Sequence, residues 1–249
     1  MESVRTALSL LELVAEHGEV GVSELARQSG EPKTTVQRNL VTLHEAGWLR
    51  PVQKGSRRNW AVSSKILTVA SHVEPVADLR PLALPVMEDL RQKTAETIHL
   101  MQRDGKEVVL IERLDSPQAL RTVRAIGLRA PLHVASNGKA VLANLEPDQI
   151  EDYLSEELVA WTPSSHTDPA RLRRHLKLVQ KQGYAFNDGE LDRDVRAIAA
   201  PVFDPNAVPI AALSISCPAT RFPKSKIETY GRLVKDAAAT ITRSIASGA

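Results

Sequence analysis

The sequence contains a single cysteine, Cys217, among 249 residues. One thiol cannot form an intramolecular disulfide or supply the thiolate cluster of a structural zinc site, so the composition fits a protein of the reducing cytoplasm. The sequence also lacks an apolar run long enough to span a bilayer, and we expect no membrane partner. Residues 1–18 contain an apolar stretch, but Glu2 and Glu12 interrupt it. An amphipathic first helix is therefore predicted there rather than an export signal.

Internal repeats are absent, and the composition does not indicate disorder. With 43% hydrophobic and 25% charged residues, the chain is typical of globular proteins. Its length is sufficient for two modest domains with separate cores. We place the boundary near residue 75, because Pro75, Pro81 and Pro85 punctuate the stretch that follows a predicted helix at residues 63–73.

Residues 22–43 read as two short helices joined by a tight turn. Ser29-Gly30 breaks the first helix, and Pro32 suits the start of the second because its missing N–H would have no intrahelical partner. The apolar stripe of the second helix leaves most of its polar and basic residues on the other side, available to phosphates and base edges. The residues concerned are Lys33, Thr34, Thr35, Gln37 and Arg38. The alternative is an ordinary helix pair with a solvated charged face.

The charge pattern around this helix pair favours DNA binding. Two strand-like stretches surround a turn at Gly55, which is typical of a wing. Residues 33–65 carry seven basic residues and one acid, whereas residues 1–32 have a net charge of −4 and residues 66–249 sum to zero. Positive charge concentrated on one helix and a hairpin tip is expected for neutralising phosphates. The hairpin residues predicted to contact DNA are Lys54, Arg57 and Arg58.

The rest of the chain mixes helices and strands without a regular β-α-β repeat. That order predicts an α+β domain with an antiparallel sheet. Asp104-Gly105, between two strand-like stretches, is a strong hairpin signal. The predicted strands are 97–102, 107–113, 121–124, 184–187, 197–203 and 209–216. The predicted helices after the boundary are one that ends near residue 93, followed by 139–145, 169–182 and 225–244.

Two segments of this second domain are candidates for ligand binding. Ser136 and Asn137 stand at the start of an apolar helix, where exposed backbone N–H groups can hold an anion. The segment lacks the glycine and hydroxyl positions of an ATPase phosphate-binding loop. Ser214 and Ser216 point to one face of a strand, beside small residues such as Ala197 on the preceding strand, which leaves room for a ligand. The alternative is that the serines form the polar outer face of that strand.

Taken together, these segments resemble the IclR family of bacterial transcriptional regulators over nearly the whole chain. The matching motifs are SVRTALSLLELV, SGEPKTTVQRNLVTLHEAGWL, RAPLHVASNGKAVLANL, HTDPARLRRHL, QKQGYAFNDGEL, AIAAPVFD and AALSISCPATRF. The resemblance implies a winged helix-turn-helix at residues 1–62, a linker helix at 63–75, and an effector-binding and oligomerisation domain with a GAF-like sheet at 76–249. It also implies a dimer or tetramer on double-stranded operator DNA, with a small organic acid or aromatic metabolite as effector.

The resemblance also assigns an effector pocket. Its residues are Ser136, Asn137, Asp188, Ala197, Ser214 and Ser216. Two positions depart from the family pattern: Ala197 replaces a common cysteine, and Asp194 replaces a common glycine. An added carboxylate near the pocket would disfavour an anionic ligand unless Arg193 or Arg196 offsets it.

Two other classes of function remain as alternatives. An enzyme is suggested by His99, His133, His166 and His175 and by the acidic segment 188–194, but the histidines lie in separate elements and no metal-binding helix spacing occurs. We therefore expect no catalytic residue, no metal and no cofactor. The third class is a DNA-binding protein without a ligand, which ligand screening would distinguish from a sensor.

Overall fold

The computed structural model describes residues 2–55, 57–70 and 79–247, without the side chains of Glu2, Lys54, Arg57 and Ala70. These residues form two compact units, one within residues 1–75 and one within residues 76–249. In the part of the chain so described, no helix combines the length and the apolar character needed to cross a membrane.

The first unit consists of three helices, an antiparallel hairpin and a short fourth helix. Its elements are α1 (Glu2–His17), α2 (Val22–Ser29), α3 (Lys33–Glu45), β1 (Leu49–Lys54), β2 (Arg57–Val62) and α4 (Lys65–Ala70). Gly30 follows α2 with φ at 72°, a left-handed conformation that glycine adopts without steric cost, and this sharp end allows α3 to start at Lys33. The core includes Leu10, Val14, Leu25, Val36, Leu40, Leu43, Leu49 and Trp60. This arrangement is a winged helix-turn-helix.

The second unit is an antiparallel sheet covered by helices on both faces. Its elements are α5 (Leu79–Thr94), β3 (Thr97–Asp104), β4 (Glu107–Leu114), β5 (Arg129–Pro131), α6 (Ser136–Leu142), α7 (Pro147–Leu154), α8 (Pro169–Gln182), β6 (Ala185–Asp188), β7 (Val195–Phe203), β8 (Pro209–Pro218) and α9 (Ile227–Ser247). The strand order is β5-β4-β3-β8-β7-β6, and every neighbouring pair is antiparallel.

The sheet separates two apolar cores. Helices α5 and α9 pack on one face, and α6, with α7 and α8 beyond it, covers the other. Because successive side chains of a strand point to opposite faces, Ile215 enters the core beneath α5 and α9, whereas Ser214 and Ser216 face the side of α6. The two serines are 1% and 5% exposed, so they do not form a solvated outer face.

The predicted α+β fold with a winged helix-turn-helix and an antiparallel sheet is confirmed, with two corrections. Residues 121–124 form no strand; the edge strand next to β4 is β5, a few residues further along the chain. Helix α7 was not predicted. The predicted linker helix at 63–75 coincides with α4 over residues 65–70. Its last residues, 71–75, lie outside the described part, so its role as a linker stays a prediction.

Candidate DNA-binding surface and ligand cavity

The exposed face of α3 carries two parallel rows of side chains. Residues spaced by four lie above one another on a helix, so Lys33, Gln37 and Val41 form one row. The neighbouring row is Thr34, Arg38 and Thr42. All six line a shallow concavity together with Val22 of α2. The opposite side of α3 is buried through Val36, Leu40 and Leu43, which fixes the direction in which the two rows point.

The other residues predicted to bind DNA have different surroundings. Thr35 is half-buried, because it lies between the exposed and the buried sides of α3. Arg58 is exposed, and its guanidinium carbon lies 5.1 Å from the centre of the Trp60 ring. The side chains of Lys54 and Arg57 lie outside the described residues, so the strand ends place only their backbones at the tip of the hairpin.

One charge of the basic segment has a local partner. Lys65 donates a hydrogen bond from Nζ to the carbonyl oxygen of Ala46, at 2.7 Å, just after the end of α3. A cation at a helix C-terminus stabilises the unpaired carbonyls there. The same ammonium lies 5.0 Å from the centre of the Trp48 ring. Lys65 therefore fastens α4 to α3 rather than adding to the DNA-facing surface.

A cavity lies in the second unit between the sheet, the first turn of α6 and the loops at 115–128 and 189–194. Its volume, counted as the space open to the centres of water molecules, is about 50 Å³. That is room for several water molecules or a small ligand. Its lining is His99, Met101, Leu110, Arg124, Leu128, Ala135, Ser136, Asn137, Asn187, Leu191, Asp192, Val195, Ala197, Ser214 and Ser216.

The close packing of the first turn of α6 against the preceding turn at Leu132 depends on Gly138. A Cβ at that position would lie 2.5 Å from the Cα of Leu132, closer than real Cβ atoms come to a backbone atom. Asn137 then reaches the sheet and donates from Nδ2 to the carbonyl oxygen of Ala212, at 2.9 Å. Ser136, Asn137 and Gly138 therefore form a wall of the cavity for two reasons. Gly138 has no side chain to prevent close packing, and Asn137 has a polar group that binds the sheet.

Five of the six predicted effector residues line this cavity, and Asp188 does not. Asp188 is the last residue of β6 and faces outwards, where its Oδ1 lies 2.6 Å from Nε of Arg196. The alternation of the strand turns Asn187 inwards instead. Asn187 accepts from the backbone N–H of Glu190 at 3.0 Å and donates to the carbonyl oxygen of Val134, so it joins the two walls of the cavity.

The charges at the cavity also differ from those expected. Asp194 is exposed and lies outside the lining, as do Arg193 and Arg196. The lining carries instead Arg124 and Asp192, whose Nη2 and Oδ2 atoms are 2.6 Å apart. Because these two charges compensate each other, the lining has no net charge when the histidine is neutral.

His99 and Ser214 are the two buried polar groups of the cavity that have an unpartnered atom. They lie opposite each other on β3 and β8. Nε2 of His99 and Oγ of Ser214 have no hydrogen-bond partner among the described residues. Burial and the positive charges of Arg113 and Arg124 lower the pKa of His99 to about 3, so its ring is neutral at neutral pH. Sequence reasoning did not select His99 as a ligand-binding residue.

Ser216 is different, because the hydroxyl of Thr122 lies 3.4 Å from its Oγ. Thr122 belongs to the irregular loop that also provides Arg124. The loop is thus attached to the sheet at the edge of the cavity. Buried polar atoms are hydrogen-bonded in folded proteins as a rule, which sets His99 and Ser214 apart from Ser216.

A buried ion pair connects two of the walls that enclose the cavity. Nζ of Lys139 lies 2.5 Å from Oε1 of Glu190 and donates to the carbonyl oxygen of Phe186 at 2.9 Å. Burial lowers the pKa of Lys139 and raises that of Glu190, while their mutual attraction opposes both shifts. The pair connects α6 with the loop that carries Leu191 and Asp192, so it fixes the separation of two cavity walls.

The histidines considered for catalysis have structural surroundings. Nδ1 of His133 lies 2.7 Å from the Tyr153 hydroxyl, and its Nε2 lies 3.0 Å from the carbonyl oxygen of Val159. The rings of His166 and His175 stack with their centres 4.9 Å apart. Across the described ranges, three or more metal-ligating side chains do not converge at any point.

The first unit is a winged helix-turn-helix with a polar, basic reading helix, and the second unit has a small cavity lined by apolar and polar side chains. Together they define the class of DNA-binding transcriptional regulators with a sensing domain. The family follows from comparison with known proteins. Residues 3–53 match the IclR helix-turn-helix domain, and residues 72–243 match the C-terminal domain of the bacterial transcriptional regulator IclR. The chain belongs to the IclR family of transcriptional regulators, as the sequence resemblance predicted.

Curated relatives and solved structures agree with this assignment. The chain is 31% identical over 246 residues to the transcriptional repressor IclR of Escherichia coli K12, covering 97% of this chain and 89% of the relative. It is 32% identical to the regulator KdgR of the same strain, covering 97% and 92%. The crystal structure of Thermotoga maritima IclR has a TM-score of 0.79 at 30% identity, with 99% of both chains covered. An IclR homologue from Microbacterium hydrocarbonoxydans, complexed with 4-hydroxybenzoate, has a TM-score of 0.80 at 26% identity, covering 98% of this chain and 99% of that chain.

Proposed function

We propose that this regulator binds double-stranded operator DNA as a dimer or a tetramer, and that a small organic molecule in the cavity of the second unit changes that binding. The observation that carries the DNA-binding part is the exposed face of α3, which presents polar and basic side chains in the most basic part of the chain. Because chromosomal DNA lies in the cytoplasm, we place the protein there.

Each residue on this surface has a proposed role. Arg38 and Gln37 contact base edges, because they lie on the exposed rows of the helix that enters the major groove. The remaining residues hold phosphates and set the register of the helix. They are Lys33, Thr34, Thr35, Lys54, Arg57 and Arg58. Two recognition helices in one dimer would occupy adjacent major grooves of a pseudo-palindromic site.

Arg38→Ala is expected to weaken binding to the operator by about 1–3 kcal/mol and to relax sequence preference, because it removes a base contact. Arg58→Ala serves as the control. It should weaken specific and random DNA alike and reduce the slope of log K against log salt by about one. Fluorescence anisotropy on labelled duplexes at two salt concentrations measures both effects. Equal losses on operator and random DNA for Arg38→Ala would reject its role in base contact.

The ligand part of the proposal is supported by the two unpartnered groups on the sheet side of the cavity. A ligand oxygen beside Nε2 of His99 and Oγ of Ser214 would supply the hydrogen bonds that both groups lack. The homologue complexed with 4-hydroxybenzoate favours a small aromatic or aliphatic organic acid. Two buried polar groups that face the cavity favour a sensor over the ligand-free alternative, because a space that served only packing would be lined there by apolar groups.

Ser214→Ala is expected to raise the free energy of unfolding by about 1 kcal/mol, because it removes a buried hydroxyl without a partner. The same variant should bind ligands at least several-fold more weakly. Ser216→Ala is the matched control and should lose stability slightly, because its hydroxyl is near that of Thr122. Urea unfolding and thermal-shift screening with 4-hydroxybenzoate, benzoate and small hydroxy acids measure these effects. A loss of stability in Ser214→Ala with unchanged ligand binding would contradict the assignment.

We consider two arrangements of the paired DNA-binding units, one of which binds DNA more tightly than the other. Ligand binding can change DNA affinity only by as much as the ligand's own affinity differs between these two arrangements. We infer that the ligand acts on the spacing or orientation of paired DNA-binding units through the linker. DNA binding should in turn change ligand affinity by the same factor, because coupling between two sites is reciprocal. Titration of the screened ligand with and without operator DNA measures this coupling.

A further inference from the structure

The exposed face of α3 changes from polar to apolar along its length. Its first half presents Lys33, Thr34, Gln37 and Arg38, whereas its second half presents Val41 and Thr42. The Thr42 hydroxyl donates to the carbonyl oxygen of Arg38 at 3.0 Å. That hydrogen bond engages the polar group of Thr42 and leaves its methyl group for contact with a partner. Val41 and the methyl group of Thr42 therefore form a small apolar patch on this face of a DNA-reading helix, between the polar first half and the exposed Glu45 that ends the helix.

Val41 does not serve the core of the unit. It is half-buried, and it is outside the cluster of apolar side chains formed by the described residues of this unit, to which Val36 and Leu40 on the other side of α3 belong. Instead it lines the concavity that it shares with Val22 at the start of α2. Val41 therefore belongs to the surface of the concavity and not to the core cluster of the described residues.

The surroundings of this apolar patch identify its partner as DNA. The patch continues the rows that contain Lys33, Gln37 and Arg38, and the segment 33–65 has seven basic residues against one acid. Positive charge of this density complements phosphates. On the major-groove edges of the base pairs, the 5-methyl group of thymine is the group that apolar side chains contact.

We propose that Val41, flanked by Val22 and the methyl group of Thr42, contacts the 5-methyl group of a thymine in each operator half-site. Val41 is four residues beyond Gln37, which is about 6 Å along a helix at 1.5 Å per residue. Base pairs are stacked at about 3.4 Å. The thymine therefore lies about two base pairs from the base read by Gln37. This inference rests on the DNA-binding role proposed above and adds one base contact per half-site to it.

The test replaces thymine by uracil, which removes only the methyl group. Duplexes are first selected from a random library by the full-length protein, and each thymine of the selected site is then replaced singly. For the wild-type protein, replacing the contacted thymine in one half-site should raise Kd about threefold to fivefold, the effect of one methyl group leaving an apolar contact. Val41→Ala should bind the uracil duplex with nearly the Kd that the wild-type protein has for the same duplex. Its Kd values for the thymine and the uracil duplex should differ little.

Val208→Ala, at an exposed valine of the second unit, is the matched control and should keep the full uracil effect. The thymine contact would be overturned if every thymine of the selected duplex could be replaced by uracil without loss of affinity. It would also be overturned if Val41→Ala kept the full uracil effect. Either result would leave the DNA-binding function intact. Failure to select any duplex would overturn both.

Discussion

Lys139→Met is expected to destabilise the second unit by about 3–5 kcal/mol, because it leaves the carboxylate of Glu190 buried without its partner. The Lys139 side chain is 0% exposed and that of Glu190 is 6% exposed, so water cannot replace the lost contact. Oε2 of Glu190 already lacks a hydrogen bond among the described residues, which adds to the cost. A loss of this size is a large part of the stability of a typical domain.

Two controls separate the buried charge from the lost volume. Lys139→Met combined with Glu190→Leu should recover most of the loss, because replacing both partners by apolar groups removes the unpaired charge. Lys93→Met breaks an exposed pair with Asp89, at 2.6 Å, and should cost less than about 1 kcal/mol. Hydrogen exchange of peptides from β3 and β8, read by mass spectrometry, reports on this unit alone. A double variant as unstable as Lys139→Met would contradict the explanation.

Acidification from pH 7 to pH 5 is expected to cost the second unit several kcal/mol of stability. The pKa of His99 is lowered to about 3, that of His166 to about 4 and that of His175 to about 3, with burial as the largest cause in each case. Since the unfolded chain binds these protons near pH 6.5, the stability is fully present above that pH and is lost progressively towards pH 3–4. His99, which is buried, contributes a loss of about 2 kcal/mol at pH 5. His166 and His175 are partly exposed and contribute less, because solvent screens their charges.

The raised pKa of Glu190 acts in the opposite direction, because the folded protein takes up that proton more readily than the unfolded chain. His133, whose pKa is also lowered by burial, acts in the same direction as the other three histidines, so the net loss on acidification remains. Hydrogen exchange of the same peptides at pH 7, 6 and 5, corrected for intrinsic exchange rates, measures the dependence. His99→Leu should reduce the slope by about one proton, and a stability that is constant between pH 7 and 5 would contradict the prediction.

Much of the fold followed from local patterns in the sequence. Asp104-Gly105 identified the hairpin of β3 and β4, and the turn between α2 and α3 was evident from Ser29-Gly30. The signal for α7 was weaker: Glu146 and Gln149 form a capping box without the usual serine or threonine, and the helix has eight residues. The false strand at 121–124 arose because a short run of alternating residues resembles a strand, whereas pairing with a neighbour depends on distant parts of the chain.

The cavity was predictable in outline but not in its electrostatics. Ser136, Asn137, Ser214 and Ser216 were found because they occur in recognisable motifs. The choice of Asp188 over Asn187 was wrong for the lining, because a shift of one residue in a strand reverses the face on which a side chain lies.

His99 and Arg124 were missed as lining residues for a related reason. His99 faces the cavity only because β3 pairs with β8, which is more than 100 residues away in the sequence. Arg124 comes from an irregular loop, and no periodicity in the sequence indicates where such a loop returns to the sheet. Contacts of this kind are set by tertiary structure.

Selection of DNA from a random library by the full-length protein, followed by anisotropy on the selected and scrambled duplexes, is the most direct test of α3 as a sequence-reading helix. We predict enrichment of a pseudo-palindromic site, at least tenfold tighter binding to it than to the scrambled duplex, and a steep loss of affinity with salt. Equal affinity for both duplexes, with no enriched sequence, would contradict this account of the protein.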